Sequence, residues 1–454
     1  MTNVNLREVV LDILLELEKE GTFSHLVITS ALNKYQYLDK QQRSFITRTA
    51  QGTIERKLEL DYIIDQFSKT PVRKMKPLIR CLLRMSVYQL QYMDSVPASA
   101  VCNEAVKLAV KRKFVSLRGF VNGVLRNISR NLDQVVYPDP VKEPLKYLSV
   151  KYSIPEWILS MWKKNYSKEQ IVKILEGFAQ RKKTYIRCNT GKVTMQELRE
   201  HLEAENVTVN PVEGLSYAYE ISGYDYLADL NAFQEGEFQI QDISSMLAGE
   251  AAALKAHDYV VDVCAAPGGK SINVALMIPE GKVLSRDLTD YKVSMIESNA
   301  DRLEIDNLTA QVWDATEYDP TLKEQADIVI ADLPCSGLGI IGRKPDIKYH
   351  ATEQGLKDLA QLQRTILSEV WQYVKPGGYL IFSTCTINRG ENEENTEWFL
   401  KEYPFELCDL TQDMSECLSA IRSDITSDKG AVGIQLLPGI DGTDGFYIAK
   451  LRRK

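Results

Sequence analysis

Two cysteines carry the residue types and spacing best suited to covalent chemistry. Cys335 lies in ADLPCSGLG and Cys385 in YLIFSTCT. Each follows a run with the apolar, β-branched character of a buried strand, Ile328-Val329-Ile330 before the first and Tyr379 to Phe382 before the second. In an open α/β sheet, groups just past the carboxyl ends of the strands face the ligand crevice. The pattern therefore predicts two thiols delivered to one crevice, with a division of labour between them. A free cysteine is more often a small buried hydrophobe. What argues otherwise here is the loop beside them.

That loop follows a predicted strand, Tyr259 to Val263, and reads Cys264, Ala265, Ala266, Pro267, Gly268, Gly269, Lys270 before a predicted helix through Met277. Small residues and paired glycines let backbone N–H groups approach a ligand at a helix start, where the helix dipole favours a carboxylate. Gly269-Lys270-Ser271 mimics the tail of a P-loop, but the Gly-x4-Gly-Lys-Ser/Thr spacing is missing, which disfavours an ATPase. Three acids end the next predicted strands: Asp287 after Val283 to Arg286, Asp314 after Ala310 to Trp313, and Asp332 after Ile328 to Ala331. The first is placed for ribose hydroxyls, the second for an adenine amine, and the third for an ammonium or a target base. The alternative for each is a solvated loop carboxylate or a helix N-cap.

The blocks DVCAAPGGK, DLPCSGLG with RKPDIKY after it, and STCTINRGENEEN resemble the signature blocks of RNA (cytosine-5)-methyltransferases that use S-adenosyl-L-methionine. The resemblance runs from about Lys146 to the C-terminus. It implies that Cys385 attacks C6 of the target cytosine, that Cys335 assists release, and that Cys264 through Lys270, Asp287, Asp314 and Asp332 meet the cofactor. The DNA enzymes use the Pro-Cys cysteine as nucleophile, so the paired thiols point to RNA. Thr386 stands where Ser is frequent in the family. The chemistry fits these residue types. Adding a thiolate at C6 breaks aromaticity and makes C5 enamine-like, able to accept a methyl group. A free thiol ionises near pH ~8.5, so a cation beside it would help. A base must then take the C5 proton. Asp332 could hydrogen-bond the N3/N4 edge of the cytosine if that edge is protonated as the adduct forms, a role that competes with its cofactor contact. A looped RNA offers its base at lower cost than a duplex.

The elements that must position these groups make up three predicted parts. Residues 1–135 read as all helix, with amphipathic runs at Leu6 to Leu17, Gln41–Arg56, Leu58–Phe67, Lys76–Tyr92, Ala98–Ala109 and Val115–Ile128. The segments QGTIERKLELDYII, LLRMSVYQLQYM and NEAVKLAVKRKFVSLRGFVNGVLRNI resemble the NusB-like RNA-binding domain. This part holds 21 Lys and Arg against 13 Asp and Glu, whereas the rest holds 34 against 49, so the positive charge sits at the N-terminus. Lys111, Arg112, Lys113 and Arg118 could meet RNA phosphates or simply form a solvated helix end and loop. A Pro-rich linker follows. Residues 145–232 predict a small α+β extension, in which Arg187 and Asn189 match the Arg-x-Asn strand usual in the resembled family. Residues 233–454 predict the Rossmann-like catalytic domain, opened by Phe238 to Ser245 and closed by a hairpin of Ile434–Pro438 with Phe446–Leu451.

The expected fold class is thus α/β, a Rossmann-like S-adenosylmethionine-dependent methyltransferase domain preceded by an all-α NusB-like domain and the α+β extension. The domain combination resembles the branch whose substrate is a cytosine in 16S rRNA, as free RNA or in a small-subunit assembly intermediate. The alternatives are a tRNA or 23S rRNA substrate, or a non-catalytic RNA-binding regulator. Eight cysteines without Cys-x2-Cys spacing and no signal-like N-terminus lead us to expect a reducing cytoplasm. His25, His201, His257 and His350 are scattered, so no metal is expected. No apolar run reaches membrane-spanning length. We expect a monomer.

Overall fold

The computed structural model describes residues 4–19, 22–180, 182–422 and 431–454. They form two compact units, Met1–Val172 with Lys344–His350, and Lys173–Arg343 with Ala351–Lys454.

The first unit is helical: α1 Leu6–Glu16, α2 Ser24–Lys34, α3 Lys40–Glu55, α4 Lys57–Phe67, α5 Pro77–Tyr92, α6 Ala98–Lys111, α7 Arg118–Arg130, α8 Pro144–Tyr152 and α9 Glu156–Trp162. α5 is buried almost all round from Ile79 to Gln89 and packs against α1, α3, α4, α6 and α7, as a helix apolar on every face must. Its one buried cation, Arg84, is forked onto Asp61 at 2.6 and 2.7 Å and bonded to Glu18 at 2.9 Å. α2 was not foreseen: only Ser24 and Ile28 of its side chains are buried, so its apolar stripe is too thin to read.

The segment Lys344–His350 packs into this helical unit, although the sequence reading assigns it to the catalytic domain. Asp346 accepts hydrogen bonds from the Ser24 N–H (2.6 Å) and Oγ (2.7 Å). Lys348, 1% exposed, donates to the Glu55 carbonyl at 2.8 Å. Glu55 ends α3, and a helix C-terminus attracts a cation.

The second unit holds two sheets. The smaller comprises β1 Thr184–Cys188, β2 Thr208–Pro211, β3 Ala218–Ser222 and β4 Phe238–Ile240, in the antiparallel order β2-β3-β1-β4. β4 lies beyond residue 232, where the sequence reading ends the extension, and Lys344–His350 and the helices up to Val172 are grouped with the first unit. Punctuation by Pro and Gly marks where the chain turns, but burial decides which elements share a core.

The larger sheet runs β5 Tyr259–Asp262, β6 Lys282–Asp287, β7 Leu308–Val312, β8 Ala326–Asp332, β9 Val374–Thr384, β10 Phe405–Leu407, β11 Ile434–Leu436 and β12 Phe446–Arg453. Its order is β10-β12-β9-β8-β5-β6-β7, with β11 beside β12. The strands from β7 to β9 are parallel, and β10, β11 and β12 pair antiparallel. Alternate residues serve opposite faces. Val260, Ile328, Ile330 and Ile381 enter one core; Val261, Val329, Leu380 and Phe382 enter the other. Burial on both faces explains the unbroken apolar runs. The sheet is doubly wound, and its order reverses between β5 and β8, which is where such folds bind ligands.

Burial holds the Lys348 amine down at about 7, against an ordinary 10.5. Between those values the unfolded chain binds a proton that the folded chain does not. The contribution of this position to stability therefore rises with pH across that window and is lowest below it. We expect the unfolding free energy of Lys348→Met minus that of the wild type to fall as the pH rises from about 7 to about 10. Urea titrations across that range measure it, and a pH-independent difference would contradict the burial effect.

Candidate active site

β5 ends on Asp262, and the chain turns through Val263 to Gly268 into the helix Gly269–Met277. Gly268 caps this helix at φ +99°, a backbone region that costs glycine little and other residues much. A Cβ there would also press on Ile272 and Ile296 at 3.3 Å, whereas one on Gly269 would meet only Gln241, at 4.0 Å. The turn thus has a packed side and an open side. Asp262 is 1% exposed; it accepts from Ser271 Oγ at 2.6 Å, and burial raises its pKa to about 7.

The three sequence-predicted acids are used differently. Asp287, at the end of β6, accepts from the Ala266 N–H (2.9 Å), the Leu288 N–H (2.8 Å) and Lys292 Nζ (2.9 Å). It therefore holds the glycine-rich turn to β6. Asp332, at the end of β8, accepts from Lys270 Nζ at 2.7 Å and from Ser383 Oγ at 2.8 Å. Asp314 lies beyond β7, and its side chain accepts from the Thr316 N–H (2.9 Å) and Oγ (2.7 Å), a local turn. Asp287 and Asp332 are built into the turn and its helix; Asp314 is not.

The two thiols meet. Cys335 Sγ and Cys385 Sγ are 3.3 Å apart, delivered from the ends of neighbouring strands β8 and β9. The Cys335 thiol is pushed well above its ordinary value, first by its hydrogen bond to Cys385, then by burial and the nearby Cys385 and Glu391 charges. Lys270 faces the same region. Burial works to lower its pKa, but Asp332, Asp262 and Cys385 together hold it above the ordinary lysine value. Its amine also lies 5.3 Å from the centre of the Phe446 ring. Cys264 is a different case: burial, followed by the charges of Asp262, Asp287 and Asp332, pushes its thiol far up. It is not one of the paired thiols.

A polar layer that the sequence reading left unassigned fixes the cysteine loops. Glu391 is fully buried and accepts from the Ser336 N–H (2.7 Å), Ser336 Oγ (2.6 Å) and Asn388 Nδ2 (2.8 Å). Asn392 accepts from Thr384 Oγ1 at 2.5 Å and donates to the Thr386 carbonyl at 3.0 Å. Asn395 donates to Gln363 at 2.7 Å, and Gln363 donates to the Pro334 carbonyl at 2.9 Å. One polar run, Glu391 to Asn395, therefore holds residues on both sides of the two cysteines. The available signal was an unbroken polar run directly after a buried strand. On the far side, the Cys335 loop passes so close to the turn before β12 that Gly339 N–H donates to the Cys385 carbonyl (3.1 Å) and Gly445 N–H to the Gly339 carbonyl (2.9 Å). A Cβ on Gly339 would stand 2.1 Å from the Gly445 oxygen. Arg343 ends this loop, bonding Asp242 at 2.5 Å and pairing with Asp444.

Comparison with known proteins gives this geometry a family. Residues 250–452 match the model of 16S rRNA methyltransferase RsmB/F, residues 4–130 the NusB family, and residues 154–223 the RsmF/B-like ferredoxin-like domain. The chain is 36% identical to a probable ribosomal RNA small subunit methyltransferase B of Bacillus subtilis, over the full length of both. It belongs to the RsmB/F family of ribosomal RNA methyltransferases. A Vibrio cholerae ribosomal RNA small subunit methyltransferase B is 30% identical over 92% of this chain and 91% of its own. A crystal structure of PH0851 superposes with a TM-score of 0.81 at 25% identity, covering 100% of this chain and 99% of its own. The NusB and Rossmann-like methyltransferase assignments of the sequence reading are therefore established, as is membership of a methyltransferase family. Among the described residues, no helix is long and apolar enough to cross a membrane.

Removing Cys385 removes the hydrogen bond and the neighbouring charge that push Cys335 up. In Cys385→Ala, alkylation of Cys335 by iodoacetamide should reach half its limiting rate at lower pH than in the wild type. Peptide mapping by mass spectrometry reads the site modified. An unchanged pH profile would mean that burial alone sets the reactivity of this thiol.

Proposed function

We propose that this RsmB/F family member transfers a methyl group from S-adenosyl-L-methionine to C5 of a specific cytosine in 16S rRNA, through a covalent adduct on Cys385. The observation that carries the reading is the 3.3 Å approach of two thiols from adjacent strand ends, beside Lys270. Lys270, bonded to Asp332 at 2.7 Å, faces the same region and interacts electrostatically with Cys385.

The cradle suits the cofactor. The open side at Gly269, the helix start behind it and the acids Asp287 and Asp332 form a site for a ligand bearing hydroxyls, a carboxylate and positive charge. Cys264 through Lys270 with Asp287, Asp314 and Asp332 would hold it. When bound, S-adenosyl-L-methionine supplies an electrophilic methyl group on a sulfonium.

The chain's own residues do the rest. Lys270, kept protonated by Asp332, favours the Cys385 anion. The thiolate adds to C6, forming the S–C6 bond and moving the ring electrons to C5, which takes the methyl group. Loss of the C5 proton to a base then restores the C5–C6 double bond and expels the Cys385 sulfur. Cys335 stays protonated through neutrality because its pKa is raised, so it lies against that sulfur as a neutral donor. Asp332 has both oxygens engaged, by Lys270 and Ser383, which supports a holding role over direct contact with the base.

Labelled S-adenosyl-L-methionine incubated with 16S rRNA, 23S rRNA and tRNA lacking their own modifications tests the reading. Label recovered as 5-methylcytosine at one 16S position supports it; label in tRNA or 23S overturns the substrate. No label in free RNA or in a small-subunit assembly intermediate, despite cofactor binding, overturns the enzymatic reading. Cys385→Ala should abolish transfer while leaving cofactor affinity nearly unchanged. Cys335→Ala should accumulate a protein–RNA complex that survives a denaturing gel, and rapid release of methylated RNA would exclude its role.

A further inference from the structure

The cations of the helical unit are not all available where the linear run suggests. In the stretch from Lys107 to Arg118, Lys107 pairs with Glu104 at 2.8 Å and Lys111 with Glu8 at 2.6 Å. Arg112 is forked onto Asp12 at 2.6 and 2.7 Å and reaches Glu8 at 3.2 Å. These three are neutralised within the fold. Lys113 and Arg118 are exposed and have no ion-pair partner among the described residues.

A second stretch joins them. The chain between α4 and α5 carries Lys69, Arg73, Lys74 and Lys76, and there is no acidic residue from Gln66 to Met93. This stretch is tied to α7 at two places. Asn127 Nδ2 donates to the Phe67 carbonyl at 3.4 Å, and the Lys76 amine lies 5.5 Å over the ring of Phe114, just before α7. It therefore runs beside α7 in the opposite direction. α7 itself contains Arg118, Arg126 and Arg130 and no acid.

The exposed side of α7 is smooth as well as basic. Gly119, Gly123, Arg126 and Arg130 follow one another at helical spacing on one stripe. A Cβ on either glycine would stand in open space, with nothing within 4 Å. Packing does not require glycine there, and the interior of a helix disfavours it. Arg126 Nε donates to Asn122 Oδ1 at 2.9 Å, but among the described residues neither it nor Arg118 or Arg130 enters an ion pair. Bare helix backbone beside such cations suits a polyanion that comes close.

We propose that this face, built from α7 and the chain between α4 and α5, docks the sugar-phosphate backbone of the RNA substrate. The inference rests on the reading of the chain as an RNA methyltransferase and assigns the surface that grips the RNA. Arg118, Arg126, Arg73 and Lys74 supply charge to phosphates, and the two glycines allow the strand to approach. Such contacts fix position without reading sequence, which leaves selection of the cytosine to the catalytic unit.

The test is fluorescence anisotropy of the full chain with an unmodified 16S rRNA transcript over a range of salt concentrations, together with methyl-transfer kinetics. The pair Arg118→Glu and Arg126→Glu is compared with a charge-matched control, Lys163→Glu and Lys164→Glu. We expect the α7 pair to weaken RNA binding by roughly tenfold or more and to flatten the dependence of log K on log salt by about two contacts. KM for RNA should rise while kcat and cofactor affinity hold, and the control pair should behave as wild type. Unchanged affinity and salt slope in the α7 pair would overturn the proposal, and would direct this face to an acidic protein partner. An equal loss in the control pair would overturn it too. A wild type that binds RNA through this face but transfers no methyl group would refute the enzymatic reading and leave the docking face standing.

Discussion

Lys270 leaves the helix that follows β5, Asp332 ends β8, and the 2.7 Å bond between them ties together the two strands at which the sheet order reverses. Ser383 on β9 adds a third strand to the same carboxylate. The glycine-rich turn, the first cysteine loop and the second cysteine strand are thereby referred to one group. The arrangement is electrostatically demanding. Removing one partner of a buried pair leaves the other uncompensated, typically at a cost of about 3–5 kcal/mol. Asp332 keeps some exposure, so its solvent softens that figure. The pair also explains how a lysine can stay charged in a mostly buried place. Without the carboxylates, burial would push its pKa down, as it does for Lys348, whose amine donates to a backbone carbonyl and is offset only in part by the Glu55 charge.

Around that pair lies a second constraint, a set of buried amides and one buried carboxylate. Glu391 holds the backbone and side chain of Ser336, next to Cys335, and Asn392 holds the residues on both sides of Cys385. Burying such groups is favourable only if each is satisfied. Together with the pairing of β8 and β9, they hold the residues on both sides of each thiol. The pKa of Glu391 is raised by burial against the pull of Ser336 and Asn388, so the carboxylate is placed there at some electrostatic cost. A loop packed by apolar residues alone would have more freedom to slide.

The helical unit shows the same economy with charge. Arg84 is buried in its core because two acids meet it, and Lys111 and Arg112 are surface cations that spend their charge on α1. Among the described residues, Arg73, Lys74, Lys113, Arg118, Arg126 and Arg130 enter no ion pair, and they lie on α7 or on the chain beside it and leading into it. Counting cations along the sequence therefore locates basic character but not the basic face.

Much of this was legible from the residues. The apolar runs of β5, β8 and β9 and the stripes of α1 and α3 to α7 come from strand and helix periodicity, which is local. The Cys-Ala-Ala-Pro-Gly-Gly-Lys turn and the strand-end positions of Asp287 and Asp332 follow from the same reading. α2 escaped it because few of its side chains are buried, and β4 was assigned to the wrong neighbourhood because a three-residue strand has no pattern of its own. The sequence by itself determined the chemical types available at the strand ends: two thiols, an amine, carboxylates and a glycine-rich turn. Only the tertiary structure decided that Cys335 and Cys385, 50 residues apart, meet at 3.3 Å, that Asp314 stays out of that cluster, and that Lys111 is neutralised by Glu8. Periodicity is dictated by neighbours along the chain, whereas which distant charges and sulfurs meet is set by how the cores pack.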